Sequence, residues 1–541
     1  MPAPAGAPHT FPVSKHFKNI SVVATATTVS RFLGLGRDML VTAVFGVEAI
    51  ASAFYTAFTL PNLFRRLLGE GALTAAFVPT LNEELKARQR AGAFALVNQV
   101  ASWLFLVSGS IVAVGMGLLW LLPRFAGRVA AWGVDPDAVS RWVAAADLGV
   151  ILFPYLVCVC LAAVFSAALQ TLNRFLEPAL SPIWLNVAMI SLLAGGAYGG
   201  WSTTEEGAML WLCAGALLGG FLQMAVPAAA LVREGWRPRI DLSMGAPMRQ
   251  IVRLMVPTLF GSAIYLINIS ISRFVGLSLN ESAVAVLNLA TRVMELPIGV
   301  FTVAVSTVVF PLIAKYAAAG DWDRLASSYR KGMRLILVIN VPAAVGLMIL
   351  ATPIVRVLFE RGAFDATGTA AMGPVLMTFA VGLPFLSFVN IVLRAFYAQK
   401  DTATPVRAAA LSFVVNLGLS LLLMKPWGTV GLAVASNVAI VVQATYLQTH
   451  LARKRNSLAF HHVVRDLAKV VLASLVMGVV VAGGWWLWSH YTPERKLVAA
   501  LGLAVLIGLG VAVYGALLWA MRIEGRDDLA AVLAKLRARL G

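Results

Sequence analysis

The chain has 541 residues, of which 60% are apolar and only 13% are charged. A soluble protein of this length does not need so much apolar surface, so the composition indicates a chain embedded in lipid. The formal net charge of +18 would favour a nucleic-acid partner in a soluble protein. In a membrane protein, basic loops at the anionic inner leaflet explain it better, and we expect membrane lipids rather than nucleic acid as partners.

Hydropathy predicts an all-α membrane protein with about fourteen transmembrane helices. Residues 1–18 lack an apolar region followed by a small-residue cleavage site, which predicts a cytoplasmic N-terminal segment and no signal peptide. Residues 521–541 carry apolar residues at helical spacing with basic residues between them, which predicts a cytoplasmic amphipathic tail on the inner leaflet. A soluble capping helix is the alternative for this tail. The helices are predicted at 19–46, 49–68, 92–122, 142–172, 179–200, 207–232, 250–276, 283–314, 333–358, 370–398, 404–424, 429–451, 466–489 and 497–520.

Lysine and arginine residues are distributed unequally between the connections. If the N-terminus is cytoplasmic, the cytoplasmic connections hold 30 of these residues and the outer connections hold 8. Because basic residues concentrate in cytoplasmic loops, this asymmetry predicts that both termini are cytoplasmic.

Short proline motifs recur at a nearly constant spacing along the chain. The spacing covers six helices, so both copies enter the membrane in the same direction, as in transporters built from two related bundles. We predict two pseudo-symmetric six-helix lobes around a central cavity, an N-lobe at 19–232 and a C-lobe at 250–451. A cytoplasmic linker at 233–249 joins them, and two additional helices occupy 452–520. The matching motifs lie 227–236 residues apart: Leu60-Pro61 with Leu296-Pro297, Phe77-Val78-Pro79 with Val309-Phe310-Pro311, Phe153-Pro154-Tyr155-Leu156 with Leu383-Pro384-Phe385-Leu386, and Pro178 with Pro405.

Three charged side chains lie within the first apolar segment, namely Arg31, Arg37 and Asp38. A charge near the centre of the bilayer costs about 2.5–3.5 kcal/mol on insertion scales. These side chains are therefore expected to face water or protein. In the structural alternative, Arg37 pairs with Asp38 and Arg31 satisfies backbone carbonyls.

Two further arginines mark the second and eighth predicted helices. Arg65 lies near the end of the second helix, and Arg292 lies three residues before Glu295, on the same helix face, where the two can pair. Arginine binds phosphate oxygens bidentately and keeps its charge. Several arginines with few carboxylates therefore predict a cavity for an anionic substrate. A purely structural ion pair is the alternative at Arg292.

The sequence gives no sign of catalysis. The pattern GxxxxGK[ST] of nucleotide-hydrolysing enzymes does not occur, and no Ser/His/Asp arrangement or acidic pair lies in a catalytic setting. The three cysteines lie in apolar runs, and no two histidines share metal-ligand spacing in an apolar segment. We therefore expect no metal site, no cofactor and no enzyme, but a secondary transporter or flippase with a cationic cavity.

Five motifs carry a resemblance that covers nearly the whole chain, from about Ser30 to the last predicted helix: SRFLGLGRD (30–38), LPNLFRRLLGEGALTAAFVP (60–79), LNRFLEPALSP (172–182), ATRVMELP (290–297) and FYAQKDTATP (396–405). They resemble the MurJ (MviN) family of lipid II flippases, within the multidrug/oligosaccharidyl-lipid/polysaccharide exporter superfamily. The resemblance implies fourteen helices in two six-helix lobes and a final pair. It also implies a role in peptidoglycan biosynthesis in the bacterial inner membrane. There, alternating access would carry lipid II, an undecaprenyl-diphosphate-linked MurNAc-pentapeptide-GlcNAc, from the inner to the outer leaflet.

The resemblance also assigns roles by motif position. The final two helices would form a groove for the lipid tail. Cavity arginines that bind the diphosphate correspond to Arg31, Arg37, Arg65 and Arg292. Other polar positions near the cavity or its gate correspond to Asp38, Asn62, Glu70 and Glu295.

Two positions depart from the family pattern. Thr291 and Ser52 stand where many members have Asp, which leaves gating ion pairs at those positions without their acidic partner. Some members bind sodium in the second lobe through acidic residues, but the seventh, eleventh and twelfth predicted helices contain no Asp or Glu. We therefore predict no strong sodium site of that kind. Coupling to sodium or to the membrane potential stays open.

The favoured function is lipid II flipping by a monomer, with association with the cell-wall synthesis machinery as a further expectation. One alternative is an exporter of another polyprenyl-diphosphate glycan. A second is a drug/cation antiporter of the same superfamily, which should carry cavity carboxylates. A third is a non-transporting scaffold, in which the buried arginines would be replaceable.

Overall fold

A computed structural model describes residues 13–65, 72–298, 303–493 and 495–521, and it is helical almost throughout these ranges, without a β-strand. The predicted amphipathic tail and most of the predicted N-terminal segment lie outside the described residues. The helices are α1 (Val13–Phe45), α2 (Ala49–Arg65), α3 (Ala72–Ala131), α4 (Pro136–Leu152), α5 (Tyr155–Thr171), α6 (Leu176–Tyr198), α7 (Glu205–Arg233), α8 (Ala246–Leu279), α9 (Ala283–Pro297), α10 (Val303–Ala318), α11 (Trp322–Phe359), α12 (Ala366–Ala398), α13 (Ala403–Lys454), α14 (His461–Tyr491) and α15 (Lys496–Ala520).

Within the described residues, the fourteen predicted segments fall on helix almost throughout, with differences where the backbone breaks. The eighth segment covers α9 and α10, and residues 299–302 between them lie outside the described residues. The fourth segment is two helices, α4 and α5, bent by 47° where Pro154 lacks the N–H that a continuous helix needs. The eleventh and twelfth segments run together in α13 around a break at Gly428 (φ 56°). In the part of the chain that the structure describes, eight helices are each long and apolar enough to cross a membrane, or nine if α4 and α5 form one crossing. The count of fourteen crossings stays a prediction.

The backbone confirms the internal repeat. A left-handed conformation (positive φ) is uncommon for residues other than glycine, because the Cβ atom then approaches the following carbonyl. Within the described ranges ten residues adopt it, and eight of them form four pairs 227–231 residues apart. Each pair lies between successive helical segments, so the same connections occur in both halves. The pairs are Gln89 with Gly320, Gly133 with Gly362, Asn173 with Lys400 and Gly200 with Gly428.

The connections α5–α6 and α12–α13 agree in their hydrogen bonds. In both, a left-handed residue lets two backbone N–H groups satisfy the last carbonyls of the preceding helix. After α5 the bonds are Asn173 N to Gln170 O (3.0 Å) and Arg174 N to Leu169 O (2.9 Å); after α12 they are Lys400 N to Tyr397 O (3.0 Å) and Asp401 N to Phe396 O (3.0 Å).

Ion pairs then fasten both turns to a neighbouring helix end. Arg174 donates to Glu234 at 2.8 Å, and Asp401 binds Lys454 and accepts from the Thr404 N–H at 3.0 Å. Partial burial of Asp401 disfavours its charge, but the bonds from Lys454 and Thr404 outweigh that effect and lower its pKa to about 2. These local contacts explain the polar residues in two of the five motifs, at 172–182 and 396–405.

The chain packs as two compact units. Unit 1 contains the described residues of 1–41, 56–134 and 143–266, and unit 2 contains those of 42–55, 135–142 and 267–541. One core of unit 1 joins α3, α5 and the end of α7, and one core of unit 2 joins α11, α12 and α13. The predicted lobe boundaries at 232 and 250 stay a prediction.

The two additional helices α14 and α15 pack on α11 in unit 2. Leu350 of α11 shares a core with Met477 of α14 and Leu503 of α15. The Arg334 Nε lies 2.6 Å from Asp466 Oδ2, which joins α11 to α14 by an ion pair. The lipid-tail groove expected at these helices stays a prediction.

Candidate functional site

Arg37 and Asp38 form a buried ion pair on α1. The Arg37 Nη2 and Nε donate to Asp38 Oδ1 at 2.7 and 3.1 Å, and Nη1 donates to Asn186 Oδ1 on α6 at 3.2 Å. Arg37 is 7% exposed and Asp38 is fully buried. In this conformation the Arg37 guanidinium therefore holds α1 against α6, in keeping with the structural alternative for this pair.

Asn186 is a further site residue, which was not predicted from the sequence. Its Oδ1 accepts from Arg37, and its Nδ2 donates to Ser30 O at 3.2 Å and to Pro182 O at 3.1 Å. A buried amide needs such partners, so a lone asparagine in the middle of an apolar helix was the available signal.

Arg31 and Arg65 are both half-buried and belong to unit 1. Arg31 lies six residues before Arg37 on a regular helix, so the two side chains leave α1 about 120° apart. Arg65 is the last described residue of α2. Asn62, one turn earlier, donates its Nδ2 to Phe58 O at 2.8 Å, so its amide is used by its own helix.

Arg292 and Glu295 pair on α9 in unit 2. The Arg292 Nη1 lies 3.4 Å from Glu295 Oε2, and the side chains are 41% and 48% exposed. A half-exposed pair at this spacing contributes only about 0.3–0.5 kcal/mol, so a ligand anion can replace Glu295 as the partner at little cost. The neighbouring Thr291 donates its hydroxyl to Leu287 O at 2.7 Å and thus serves its own helix.

The predicted site residues divide between the two units. Unit 1 holds Arg31, Arg37, Asp38, Asn62 and Arg65; unit 2 holds Arg292 and Glu295. Glu70 lies outside the described residues. Their convergence on one cavity stays a prediction.

Unit 2 contains a cluster of neutral polar side chains between α8 and α13. Asn416 Nδ2 donates to Asn268 Oδ1 at 3.1 Å and to Ser272 Oγ at 3.3 Å, and Asn416 Oδ1 accepts from Ser436 Oγ at 3.4 Å. These amides and hydroxyls satisfy one another without a formal charge. Across the described ranges, no group of three or more His, Cys, Asp and Glu side chains is arranged to hold a metal ion.

An apolar cleft of about 510 Å³ lies in unit 1 between α2, α3 and the break after α4. Its one hydroxyl, on Ser110, donates to Leu106 O at 2.8 Å and is therefore already used. The cleft offers hydrocarbon contacts and no charged group for a diphosphate. Its lining residues are Leu60, Phe64, Ser110, Ile111, Val114, Gly115, Leu118, Leu119 and Phe153.

Two stretches from the first half of the sequence, residues 42–55 and 135–142, pack within unit 2, and we call their contacts there the latch. Ser52 is fully buried, and its Oγ accepts from the N–H of Ala285 at 3.2 Å in the first turn of α9. Ala363 donates its N–H to Ala43 O at 2.8 Å. A Cβ atom on Gly46 would lie 2.9 Å from Ala363 O, so glycine permits this close backbone approach.

Arg141 anchors the other stretch of the latch. This buried side chain donates from Nε to Leu277 O at 2.7 Å and from Nη2 to Ser278 O at 3.3 Å. A cation satisfies the unpaired carbonyls at the end of α8 and complements the helix dipole. Trp142 stacks on Phe274 with ring centroids 4.3 Å apart. Arg141 was not predicted from the sequence, because its carbonyl partners lie 136 and 137 residues away.

Arg141→Gln is expected to weaken the latch by about 1.5–3 kcal/mol, because it removes charge-assisted bonds to two carbonyls. Cysteines placed at Ala43 and Ala363, whose backbones are hydrogen-bonded, report the change through their rate of oxidative cross-linking. That rate should fall severalfold. Arg124→Gln is the control, since this exposed arginine lies over the Trp120 ring and not in the latch. Equal rates in the two variants would contradict the role of Arg141.

A twice-repeated set of long apolar helices with arginines inside them defines a multi-pass membrane transporter. The family model "Lipid II flippase MurJ" matches residues 41–504. The probable lipid II flippase MurJ of Rhizobium tropici is 33% identical over 500 residues, covering 91% of this chain and 92% of the relative. The chain belongs to the MurJ family of lipid II flippases.

Solved structures agree with this assignment. A lipid II flippase MurJ in an inward closed conformation aligns with a TM-score of 0.73 at 25% identity, covering 94% of this chain and 99% of that one. A multidrug-resistance transporter of the MATE family, in an inward-facing conformation, aligns with a TM-score of 0.64 at 15% identity, covering 80% and 98%. The second likeness concerns the fold alone.

Proposed function

We infer that this chain flips lipid II from the inner to the outer leaflet of the bacterial inner membrane by alternating access. The observation that carries this proposal is the family match over residues 41–504, which includes the helices of both units. The proposed orientation places both termini in the cytoplasm, because 30 basic residues fall in the connections on that side and 8 on the other. The protein acts as a secondary transporter rather than an enzyme.

The proposed site holds the diphosphate of lipid II with arginines from both halves of the repeat. Arg65 and Arg31 in unit 1 and Arg292 in unit 2 are each only partly buried, which leaves them more accessible than Arg37. A guanidinium binds phosphate oxygens bidentately and stays charged at every physiological pH. Arg37 contributes differently, because its donors already bind Asp38 and Asn186 in this conformation.

A complementation experiment tests the function. A bacterium is depleted of its own lipid II flippase, and this chain is expressed in its place. Rescue of growth is expected, together with lipid II that becomes accessible to a hydrolase acting only on the outer leaflet. If the chain is inserted but neither growth nor outer-leaflet lipid II returns, the assignment fails. Rescue of a different polyprenyl-diphosphate glycan alone would move the function to the related exporter.

The proposed action is that of a monomer, and association with cell-wall synthesis proteins is part of the proposal. A single chain carries arginines from both repeats, so a second copy is not required to supply them. Co-purification from a cross-linked membrane, scored for a second tagged copy and for peptidoglycan synthases, tests both points.

Transport is expected to be independent of sodium. The polar cluster of Asn416, Asn268, Ser272 and Ser436 offers only neutral oxygens. The Asn416 amide already donates to two of these oxygens, on Asn268 and Ser272. The acidic ligands that some family members use for sodium do not take part in these bonds. Replacing sodium by potassium or choline should leave the outer-leaflet lipid II signal within about twofold. Collapse of the membrane potential should lower that signal, because moving one charge through 100 mV is worth about 2.3 kcal/mol. A requirement for sodium would refute this expectation.

A further inference from the structure

The connection between α7 and α8 is fixed along the side of α3 in an extended conformation, and we call residues 236–244 the strap. Four polar side chains of α3, spread over two turns, hold it by hydrogen bonds, mostly to its backbone. The bonds are Trp236 Nε1 to Asn98 Oδ1 (2.9 Å), Arg239 N to Asn98 Oδ1 (3.2 Å), Asn98 Nδ2 to Arg237 O (3.1 Å), Asp241 N to Ser102 Oγ (2.9 Å), Gln99 Nε2 to Ser243 Oγ (2.8 Å) and Trp103 Nε1 to Leu242 O (3.2 Å).

The strap turns an apolar edge away from α3. Side chains alternate in an extended segment, and here Ser243 meets α3 while its neighbours point outward. Ile240, Leu242 and Met244 are 90%, 47% and 39% exposed. Three exposed apolar side chains on one edge of a segment held by six hydrogen bonds form a patch, and such a patch indicates an apolar neighbour.

Two arginines flank this edge. Arg237 and Arg239 are exposed, and their backbone groups rather than their side chains bind Asn98. Asp241 is the only carboxylate of the strap. Its backbone N–H donates to Ser102 of α3, and its side chain accepts from the Ser243 N–H at 2.9 Å. The exposed surface of the strap therefore combines apolar side chains with positive charge.

The position of the strap along α3 matches a membrane interface. From Arg90 to Ala131 the helix is about 63 Å long at 1.5 Å per residue, roughly twice the thickness of the hydrocarbon core. Arg124 lies over the Trp120 ring at 3.6 Å, a pairing typical of one interface. Counting back about 20 residues from Trp120 reaches the level of Trp103, where the strap lies.

We propose that the strap is a lipid-binding surface for anionic phospholipids. Ile240, Leu242 and Met244 enter the hydrocarbon edge of the leaflet, and Arg237 and Arg239 bind the phosphate groups above them. The excess of basic residues in the connections on this side assigns the surface to the cytoplasmic leaflet, where anionic lipids face basic protein segments. The inference concerns the lipid around the protein and does not depend on which substrate is carried.

Quenching by brominated lipids tests the depth of the strap. A bimane fluorophore is attached to Ile240→Cys in nanodiscs, with Leu106→Cys as the reference in hydrocarbon and Ala87→Cys as the reference in water. The unmodified chain gives the background, since its cysteines are buried or half-buried. Phospholipids brominated on the acyl chain should quench the fluorophore at 240 nearly as well as at 106. Quenching no greater than at 87 would overturn the proposal, because the edge would then face water or protein.

The same fluorophore tests the lipid class. In nanodiscs of phosphatidylcholine, a small fraction of brominated phosphatidylglycerol should quench position 240 several times more than the same fraction of brominated phosphatidylcholine. Arg237→Gln/Arg239→Gln should remove this preference, because each basic residue near the surface contributes to anionic-lipid binding. Lys86→Gln/Arg88→Gln removes the same charge from exposed positions of α3 and should leave the preference intact. Equal quenching by both lipids, or equal loss in both double variants, would overturn recognition of anionic lipid.

Discussion

Replacing Arg65 or Arg292 by alanine is expected to abolish rescue of a flippase-depleted host. Each change removes a guanidinium from one half of the repeat that the proposed mechanism uses to hold the diphosphate. A charge-assisted hydrogen bond contributes about 1.5–3 kcal/mol, so removing a bidentate pair of such bonds predicts a fall in transport of at least about tenfold. The outer-leaflet lipid II signal, measured at equal protein level, checks the result.

Two further variants make the prediction about these arginines sharper. Arg65→Lys and Arg292→Lys keep the charge but lose the planar fork, so partial transport is expected. Arg394→Ala is the matched control, because this exposed arginine of α12 lies 5.1 Å from the Phe310 ring and has no assigned part in the site. Full rescue by both alanine variants would exclude the arginine mechanism, while rescue by neither the variants nor the unmodified chain would instead exclude the proposed function.

Arg37→Ala should lower the stability of the protein more than any other arginine replacement in the site. The change leaves Asp38 fully buried without the guanidinium that donates two hydrogen bonds to its Oδ1. Breaking one side of a buried ion pair typically costs about 3–5 kcal/mol. A large fall in the thermal unfolding temperature in detergent, and low levels in the membrane, are therefore expected, whereas Arg65→Ala should unfold near the temperature of the unmodified chain.

A double replacement separates stability from transport at this position. Arg37→Leu/Asp38→Leu removes both charges, so it should recover much of the stability that Arg37→Ala loses. If the double variant is stable but does not transport, Arg37 and Asp38 have a role in the cycle beyond packing. A normal unfolding temperature for Arg37→Ala would contradict the importance of the buried pair.

Hydropathy predicted the helices well because the spanning segments are apolar over about 20 residues or more, and the described residues of the predicted segments are helical almost throughout. It did not locate the break after Phe153, since the segment stays apolar through Pro154 and only the missing N–H interrupts it. It placed the start of the third helix at residue 92, close to the break at Gln89 (φ 55°, ψ −154°), and it missed the helix at 72–88 because the second half of that stretch is polar.

The candidate site was predictable in its residue types and less so in its contacts. Arg37 and Asp38 are neighbours in the chain, so their pairing could be predicted from the sequence. Asn186 lies 149 residues from Arg37, so its hydrogen bond to Arg37 could not be predicted. The same holds for Ser52, whose partner Ala285 is 233 residues distant. In the sequence, Ser52 was noted only because many family members have Asp at this position. In the structure, its hydroxyl oxygen accepts a hydrogen bond from the Ala285 N–H in the first turn of α9.

The four pairs of left-handed residues allow the two halves of the chain to be compared at equivalent positions. At the connection before the third and ninth predicted helices, the second half has Gly320 (φ 68°) and the first half has Gln89 (φ 55°), both at positive φ. A side chain there costs about 1 kcal/mol that glycine avoids. The two halves thus share the placement of these positive-φ residues and differ in the side chains that occupy them, so such differences reflect tolerance of sequence rather than change of architecture.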